Sequence, residues 1–252
     1  MDAIILAGAL NTGPLQKLSS AQYEAEIEIA GRPMLEYIVM ALKKVSSIER
    51  IVVSGPESIM TEFCQSMIAQ RVEPGDSMID SLLNGLAVLN KNQPVLVTTS
   101  DIPLITKEAL EDFLANCRLR SGDVYYSFIA KELCEAKYPG VHRTYVKLRE
   151  GVFTGGNVAL IAERAILENI EMLKKAAALR KKPLKLCSLL GWKCFLNLLV
   201  GKLTISEIEK RIAKAFNIKA VAIASQYPEI GIDVDKPGDL ILARQILAES
   251  VN

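Results

Sequence analysis

Three aspartates lie where the sequence predicts the ends of strands. Asp101 lies at the end of the buried strand predicted at 94–101, and Asp233 and Asp235 lie two residues apart within 231–239. Residues two apart in an extended segment point to the same side. Mg²⁺ is typically held by one or two carboxylates, while water and substrate phosphates complete its coordination. The three acids therefore predict a Mg²⁺ or Mn²⁺ site that serves a phosphate-bearing substrate.

Structural explanations compete for some of these acids. Asp101 could be a turn residue or the N-cap of the next helix, although Thr106 suits that cap better. Asp239 is better explained as an acid in the first turn of the last helix, near its positive end.

Two glycine-containing segments could bring backbone close to a ligand. In 154–161, Gly155 and Gly156 remove side chains, and Asn157 supplies both a donor and an acceptor. A plain tight turn into a strand explains this segment equally well. In 73–86, Gly75 and the helix after it could expose backbone amides to a base or a phosphate, which is a weak signal alone.

The first residues, MDAIILAGALNTGPLQK, follow the strand–glycine turn–helix order of many nucleotide-binding units. They contain neither GxGxxG nor GxxxxGK[ST], and Lys17 is the one basic residue in the loop. The segment is therefore a phosphate loop that still works, a degenerate one, or an ordinary turn.

Composition excludes several classes of function. Lys plus Arg is 30 and Asp plus Glu is 29, so no global field attracts nucleic acid, and any bound anion needs a local site. Five cysteines without a CxxC pair argue against a disulfide framework and a zinc site, and indicate thiols in a reducing cytoplasm. His142 is the only histidine, is not accompanied by GxSxG, and is expected in a loop.

Targeting and membrane signals are weak. No leader is predicted, because Asp2 precedes a first apolar run that is too short. The apolar stretch at 183–203 is interrupted by Lys185, Lys193 and Lys202, so it predicts no transmembrane segment. It is expected to form short core or surface-groove helices, with peripheral membrane contact as the alternative.

Apolar runs and helical spacing predict alternating elements. Thr106 and Asp76 are expected to begin their helices, and Thr204 and Glu207 have the spacing of a capping box. The alternation predicts a mainly parallel sheet with helices on both faces, whose ligands bind beyond the carboxyl ends of the strands. Strands are predicted at 3–7, 50–55, 94–101, 123–130, 157–162 and 220–224, and helices at 32–45, 57–68, 77–89, 106–119, over most of 162–216 and at the end of the chain.

Taken together and in this order, six stretches resemble the MobA-like NTP transferase family. The resemblance implies an α/β, Rossmann-like three-layer αβα sandwich of the nucleotide-diphospho-sugar transferase type. It implies a single domain over 1–252, with a helical insertion at about 165–218 where the resemblance lapses. The matching stretches are IILAG at 4–8, IAGRPMLEYIVMAL at 29–42, SLLNGL at 81–86, TTSDIPLIT at 98–106, TGGNVALI at 154–161 and DVDKPGDLILA at 233–243.

The resemblance implies a metal-dependent reaction in which an acceptor phosphate attacks the α-phosphorus of a nucleoside triphosphate and pyrophosphate leaves. The implied partners are the triphosphate and a small phosphorylated acceptor, such as a sugar or polyol phosphate, and the implied assembly is a monomer or homodimer. Carried over by position, the resemblance implies a metal site at Asp101 and Asp235, with Asp233 beside them. The implied acceptor site consists of Gly155, Gly156 and Asn157. The implied nucleotide site consists of Leu6, Ala7, Gly8, Gly75, Ser81 and Ser100.

The phosphate loop departs from the family pattern, which is roughly LAGGxGxR followed by a lysine before xxGRPM. This chain has Ala9 for the second glycine, no arginine after it, and Glu24 where the lysine is expected. Lys17 is the candidate substitute and is therefore grouped with Asp101 as catalytic. The alternative is a catalytically silent nucleotide-binding or regulatory protein. A transferase using an intact sugar nucleotide ranks third, because it would normally carry a DxD motif in the middle of the chain.

The stretch at 165–218 is too long for an ordinary connection between strands. It is expected to pack a small core of its own against the sheet. A second hypothesis is that it covers the acceptor side and sets specificity, for an acceptor with an apolar part or for a site near a membrane.

Replacing Lys17 tests whether the loop retains a phosphate-binding cation. Lys17→Ala should weaken nucleotide binding about tenfold or more, because a charge-assisted contact contributes about 1.5–3 kcal/mol. The measurement is the dissociation constant by calorimetry. An unchanged constant would identify Lys17 as a solvated surface charge.

Overall fold

The computed structural model describes residues 1–89, 93–179, 182–188 and 191–249. The strands are β1 Asp2–Leu6, β2 Glu28–Ile29, β3 Arg32–Pro33, β4 Arg50–Ser54, β5 Gln70–Val72, β6 Val95–Thr99, β7 Val124–Ala130, β8 Val146–Leu148, β9 Gly151–Ile161 and β10 Ala220–Ser225. The helices are α1 Met34–Lys43, α2 Glu62–Met67, α3 Met78–Leu86, α4 Lys107–Arg118, α5 Lys131–Lys137, α6 Glu163–Leu167, α7 Ile170–Leu179, α8 Pro183–Ser188, α9 Trp192–Leu199, α10 Ile205–Phe216 and α11 Pro237–Glu249. Short 3-10 helices cover Pro14–Lys17, Glu24–Glu26, Glu57–Ile59 and Pro228–Gly231.

One mixed sheet organises the chain, with strand order β10-β7-β9-β6-β1-β4-β5 and β8 paired to β9. The pairs β1–β4, β1–β6, β4–β5 and β7–β10 are parallel, whereas β9 runs antiparallel to β6, β7 and β8. The separate pair β2–β3 is antiparallel. The prediction of a mainly parallel sheet is confirmed.

The central strands are buried on both faces, which explains their nearly continuous apolar sequences. Ile5 belongs to a core with Leu35 of α1 and Phe113 of α4. Its neighbour Ile4 belongs to a second core with Leu82 of α3, because successive side chains of a strand point to opposite faces. Helices thus cover both faces, as a three-layer αβα sandwich requires.

Helix starts follow side-chain capping. The Thr106 hydroxyl accepts a hydrogen bond from the Ala109 amide at 3.2 Å, and Thr204 and Glu207 form the predicted capping box. The prediction that Asp76 caps α3 was wrong. Ser77 is the N-cap, because its hydroxyl accepts from the Asp80 amide at 3.2 Å.

Two predicted elements have different bounds. The predicted helix at 57–68 is split into a 3-10 turn and α2, which begins after the Thr61 N-cap. The segment 154–157 lies inside β9 and is not a tight turn before a strand. The pairing of β7 with β9 shifts register there, since Tyr126 opposes Ala159 while Phe128 opposes Gly155.

The segment between β9 and β10 is helical, as predicted, and contains α6 to α10. Cys194 and Leu203 pack with Leu148 of β8 in a small separate core, which confirms that the segment packs against the sheet. Within the described part of the chain, every helix is too short or too polar to cross a bilayer.

The described cysteine side chains are structural. Cys64, Cys117, Cys134 and Cys194 are buried and outside any disulfide, and burial raises the pKa of Cys117 to about 12. The Cys117 thiol is therefore protonated at neutral pH. The side chain of Cys187 lies outside the described residues.

Candidate active site

A cavity of about 330 Å³ opens at the carboxyl ends of β1 and β6. We call it the donor cavity. It brings together most of the residues predicted to contact a nucleotide, but neither Lys17 nor Ala7. Ala7 is fully buried and donates its amide to the Ser54 carbonyl at 2.8 Å. The lining residues are Leu6, Gly8, Ala9, Glu24, Gly75, Asp76, Ser77, Met78, Ser81, Thr99, Ser100, Asp101 and Asp235.

Two glycines allow close backbone approaches at this cavity. A Cβ on Gly8 would lie 2.6 Å from the Cβ of Pro74. A Cβ on Gly75 would lie 2.8 Å from the backbone nitrogen of Ser81. The Gly75 amide donates to the Ser81 hydroxyl at 3.0 Å, so it is already engaged within the protein. The expected contact between this amide and a ligand stays a prediction.

The loop after β1 is shaped by side chain to backbone hydrogen bonds. The Asn11 amide group donates to the carbonyls of Ser19, at 3.2 Å, and Ala21, at 3.0 Å. The backbone amide of Glu24 then donates to the Ala9 carbonyl at 3.0 Å. These contacts turn the chain back on itself and place Glu24 in the wall of the donor cavity.

The carboxylates of Glu24, Asp101 and Asp235 form one cluster. Their oxygens lie within 4.8 Å of one another. The oxygens of several carboxylates are the ligands that a hard divalent cation prefers. The cluster therefore fits Mg²⁺ or Mn²⁺. The sequence indicated Asp101 and Asp235 but treated Glu24 only as a charge of the wrong sign.

Hydrogen bonds fix the positions of Asp101 and Asp235 relative to each other. The Val234 amide donates to the Asp101 carbonyl at 2.8 Å, and the Val234 side chain is fully buried. The Asp239 carboxylate accepts from the amides of Asp235, at 3.3 Å, and Lys236, at 3.1 Å, which confirms its expected place in the first turn of α11. The Thr99 hydroxyl donates to the Asp101 carboxylate.

A second cavity, of about 440 Å³, adjoins the first and shares Asp235 with it. We call it the acceptor cavity, because it contains the three residues predicted to face the acceptor. His142 lies in an exposed loop, as expected, and also lines this cavity. The lining residues are Tyr126, His142, Arg143, Thr144, Val146, Thr154, Gly155, Gly156, Asn157, Gly231, Asp233, Asp235, Lys236 and Asp239.

The register shift in β9 positions Asn157. The Tyr126 hydroxyl donates to the Gly156 carbonyl and the Ser127 hydroxyl donates to the Val158 carbonyl, both at 2.8 Å. A Cβ on Gly156 would collide with the Ser127 side chain. Bulges of this kind redirect side chains next to active sites. Asn157 accordingly lines the acceptor cavity.

Arg143 is a cation in the acceptor cavity that the sequence analysis missed. Its side chain is only 8% exposed, forms an ion pair with the Asp233 carboxylate, and donates to the Asp233 carbonyl at 2.8 Å. Burial lowers the pKa of Arg143, and the carboxylates of Asp239, Asp235 and Asp101 oppose this shift. Its Nε has no hydrogen-bond partner among the described residues.

Asp233 lies outside the three-carboxylate cluster, and its use as a metal ligand stays a prediction. Its ion pair favours a role in holding Arg143. Lys17 is an exposed residue at the end of a 3-10 helix and is not among the residues lining the donor cavity. That described lining includes four acids and neither lysine nor arginine.

Comparisons with known proteins agree on one family. The model of the MobA-like NTP transferase domain matches residues 3–185. The 2-C-methyl-D-erythritol 4-phosphate cytidylyltransferase of Caldanaerobacter subterraneus subsp. tengcongensis is 29% identical over 121 residues. This match covers 44% of the chain and 51% of the relative, so the chain spans about half the length of this curated relative.

Solved structures extend the likeness over nearly the whole chain. A hypothetical transferase from Thermus thermophilus has a TM-score of 0.82 and 32% identity, covering 95% of this chain and 98% of its own. The 4-diphosphocytidyl-2C-methyl-D-erythritol synthase of Anaerococcus prevotii has a TM-score of 0.59 and 15% identity. The match covers 98% of this chain and 95% of the synthase. A CMP:2-keto-3-deoxy-manno-octonic acid synthetase complexed with CTP has a TM-score of 0.63 and 15% identity. The match covers 99% of this chain and 100% of the synthetase. At 15% identity, the last two structures show that this chain shares their fold and nothing more.

The carboxylate cluster predicts a measurable divalent-metal site. Asp101→Asn and Asp235→Asn should each weaken Mn²⁺ binding about tenfold or more, because each removes a ligand charge. The measurement is titration with Mn²⁺ followed by electron paramagnetic resonance. The matched control is Asp76→Asn, since Asp76 lines the same cavity outside the cluster. Equal Mn²⁺ affinities in all three variants would remove the metal assignment.

Proposed function

This chain belongs to the MobA-like NTP transferase family, and from that premise we propose that it is a metal-dependent nucleotidyltransferase. It transfers a nucleoside monophosphate from a nucleoside triphosphate to a small phosphorylated acceptor and releases pyrophosphate. The observation that carries this proposal is the position of Asp235, which borders both cavities and belongs to the carboxylate cluster. Donor and acceptor would therefore meet beside that cluster.

The named relatives guide the choice of nucleotide. One is a cytidylyltransferase and another is a CMP-sugar synthetase crystallised with CTP. CTP is therefore the first donor to test. A sugar or polyol phosphate is the corresponding class of acceptor.

The reaction is a substitution at phosphorus. An oxygen of the acceptor phosphate forms a bond to the α-phosphorus, the bond to the oxygen bridging the α- and β-phosphorus breaks, and pyrophosphate carries away that electron pair. Such reactions depend mainly on positioning and charge neutralisation, and need no covalent nucleophile on the protein. The scarcity of histidine is therefore no obstacle.

The donor cavity would position the triphosphate through backbone. Leu6 and Gly8 line the cavity at the end of β1, and Gly75 and Ser81 line it from the segment that leads into α3. Glu24, Asp101 and Asp235 would hold the divalent cation, which when bound neutralises phosphate charge. Because the described lining offers acids but no lysine or arginine, the nucleotide is expected to bind as its metal complex.

The acceptor cavity would orient the attacking phosphate. Arg143 supplies a fixed positive charge, because its ion pair with Asp233 holds the guanidinium in place. Lys236 supplies an exposed second cation at the same cavity. Asn157 can donate to and accept from hydroxyls of the acceptor.

Pyrophosphate release tests the proposal. Purified protein with Mg²⁺ is assayed with four nucleoside triphosphates and a panel of sugar, polyol and alkyl phosphates. At least one pair should be turned over, and Asp101→Asn should abolish turnover while the melting temperature is unchanged. Nucleotide-induced thermal stabilisation without turnover of any pair would contradict the proposal and favour a silent nucleotide-binding protein.

Arg143 should act on the acceptor and not on the nucleotide. Arg143→Ala is expected to raise the acceptor KM about tenfold or more, because a charge-assisted contact contributes about 1.5–3 kcal/mol. The KM for the nucleotide should stay the same, and Arg143→Lys should recover part of the loss, since it keeps the charge but not the planar fork.

Two controls accompany the Arg143 variants. Arg149→Ala removes an exposed arginine outside both cavities. Melting temperatures report any destabilisation from leaving the buried Asp233 unpaired. A rise in the nucleotide KM, with an unchanged acceptor KM, would contradict the assignment.

A further inference from the structure

A third cavity, of about 280 Å³, lies between the helical segment and the sheet. We call it the apolar cavity. Leu186 of α8, Leu198 of α9 and Ile208 of α10 line one side of it. Phe128 of β7 and Ala222 of β10 line the other. Its wall is almost entirely hydrocarbon, and it is open to solvent.

Two of the three described polar side chains in this wall are already engaged within the protein. Among the described lining residues, Tyr126, Thr154 and Glu209 have polar side chains. The Tyr126 hydroxyl donates to a backbone carbonyl, and the Glu209 carboxylate pairs with Arg120 at 2.8 Å. Glu209 also accepts from the Ala222 amide at 2.9 Å. The wall therefore offers a ligand apolar contact and few hydrogen bonds.

The apolar cavity adjoins the acceptor cavity. Tyr126, Val146, Thr154 and Gly155 line both. A ligand that crosses this shared wall would have a charged end near Arg143 and an apolar end beside the insertion helices. Such a division of charge matches an amphiphile with a phosphate head.

We propose that the apolar cavity binds the hydrocarbon chain of an amphiphilic acceptor whose phosphate occupies the acceptor cavity. The inference rests on the proposed function and specifies its substrate class. The helical segment thereby sets acceptor specificity, since α8, α9 and α10 supply the wall that a small sugar phosphate would not use.

The outer surface of the same segment is consistent with access from a lipid phase. Trp192, Leu196, Leu199 and Val200 are 45–68% exposed. Exposed lysines accompany them, including Lys193. Helices that bind membrane surfaces combine apolar side chains with lysines in this way. The amphiphile could therefore be dissolved or embedded in a bilayer.

Chain length is the first test. Binding of methyl, butyl, hexyl and octyl phosphate to the native protein is measured by calorimetry without nucleotide. Affinity should rise about three- to fourfold for each added methylene until the cavity is filled. Equal affinities across the series would overturn the proposal. This measurement needs no substitution, so it does not depend on a variant folding correctly.

Filling the cavity is the second test. Ala222→Phe places a ring in the apolar cavity and should remove the chain-length dependence, while methyl phosphate binding is unchanged. The matched control is Ala224→Phe, since Ala224 lies on the same strand, is exposed and does not line the cavity. Melting temperatures confirm that both variants fold. A full chain-length dependence in folded Ala222→Phe would overturn the proposal.

A third test separates the two sources of the amphiphile. Native protein is sedimented with phosphatidylcholine vesicles, with and without hexadecyl phosphate. Sedimentation that requires hexadecyl phosphate identifies a bilayer source. Tight binding of dissolved octyl phosphate without sedimentation identifies a dissolved source. The absence of both overturns the proposal.

Failure of this inference is distinguishable from failure of the proposed function. Chain-dependent binding without pyrophosphate release from any acceptor contradicts the function and leaves the apolar site intact. Pyrophosphate release from sugar phosphates, with no effect of chain length on binding, contradicts only the apolar site.

Discussion

The hydrogen bond from the Val234 amide to the Asp101 carbonyl is the contact on which the site depends. It joins the end of β6 to the loop before α11, two segments more than 130 residues apart in the sequence. Burial of Ile232 and Val234 anchors that loop on both sides of Asp233. With the backbone held in this way, Asp101 and Asp235 approach each other, and Asp235 lies at the boundary between the donor and acceptor cavities.

Electrostatics then divides the site into two unlike halves. Three carboxylates share a small volume on the donor side, where mutual repulsion and partial burial favour binding of a divalent cation. On the acceptor side the carboxylate of Asp233 is already neutralised by Arg143. Glu24, which stands where the family pattern has a lysine, therefore adds a third acid to the carboxylate cluster. Under the proposed function, a divalent cation bound to this cluster would supply the positive charge that the lysine would otherwise bring to the triphosphate.

The helical segment between β9 and β10 combines a packed core with a cavity. Cys194 and Leu203 pack against β8, whereas the side chains of α10 that face β10 leave the apolar cavity open to solvent. Apolar surface left in water is unfavourable by about 25 cal/mol per Å², and cores normally contain few voids larger than a water molecule. An apolar cavity beside an acceptor site therefore fits a binding role better than incomplete packing.

The sequence alone determined most of the strands and helices, because these depend on local periodicity. Continuous apolar runs marked the buried strands, and Asp101 was identified because it directly follows one of them. Thr106 and the Thr204–Glu207 pair were identified as caps for the same reason, since capping acts over three residues. Among the caps, the choice of Asp76 over its neighbour Ser77 was wrong.

Only the tertiary structure decided which side chains meet. Glu24 reaches the cluster through a loop held by the Asn11 side chain, and no periodic pattern encodes that path. Arg143 lies in an irregular segment, and its position depends on an ion pair and a hydrogen bond with Asp233, 90 residues later. Asn157 depends on a register shift between two strands. These features rest on contacts between distant segments, whose geometry follows from packing the whole chain and not from the residues nearby.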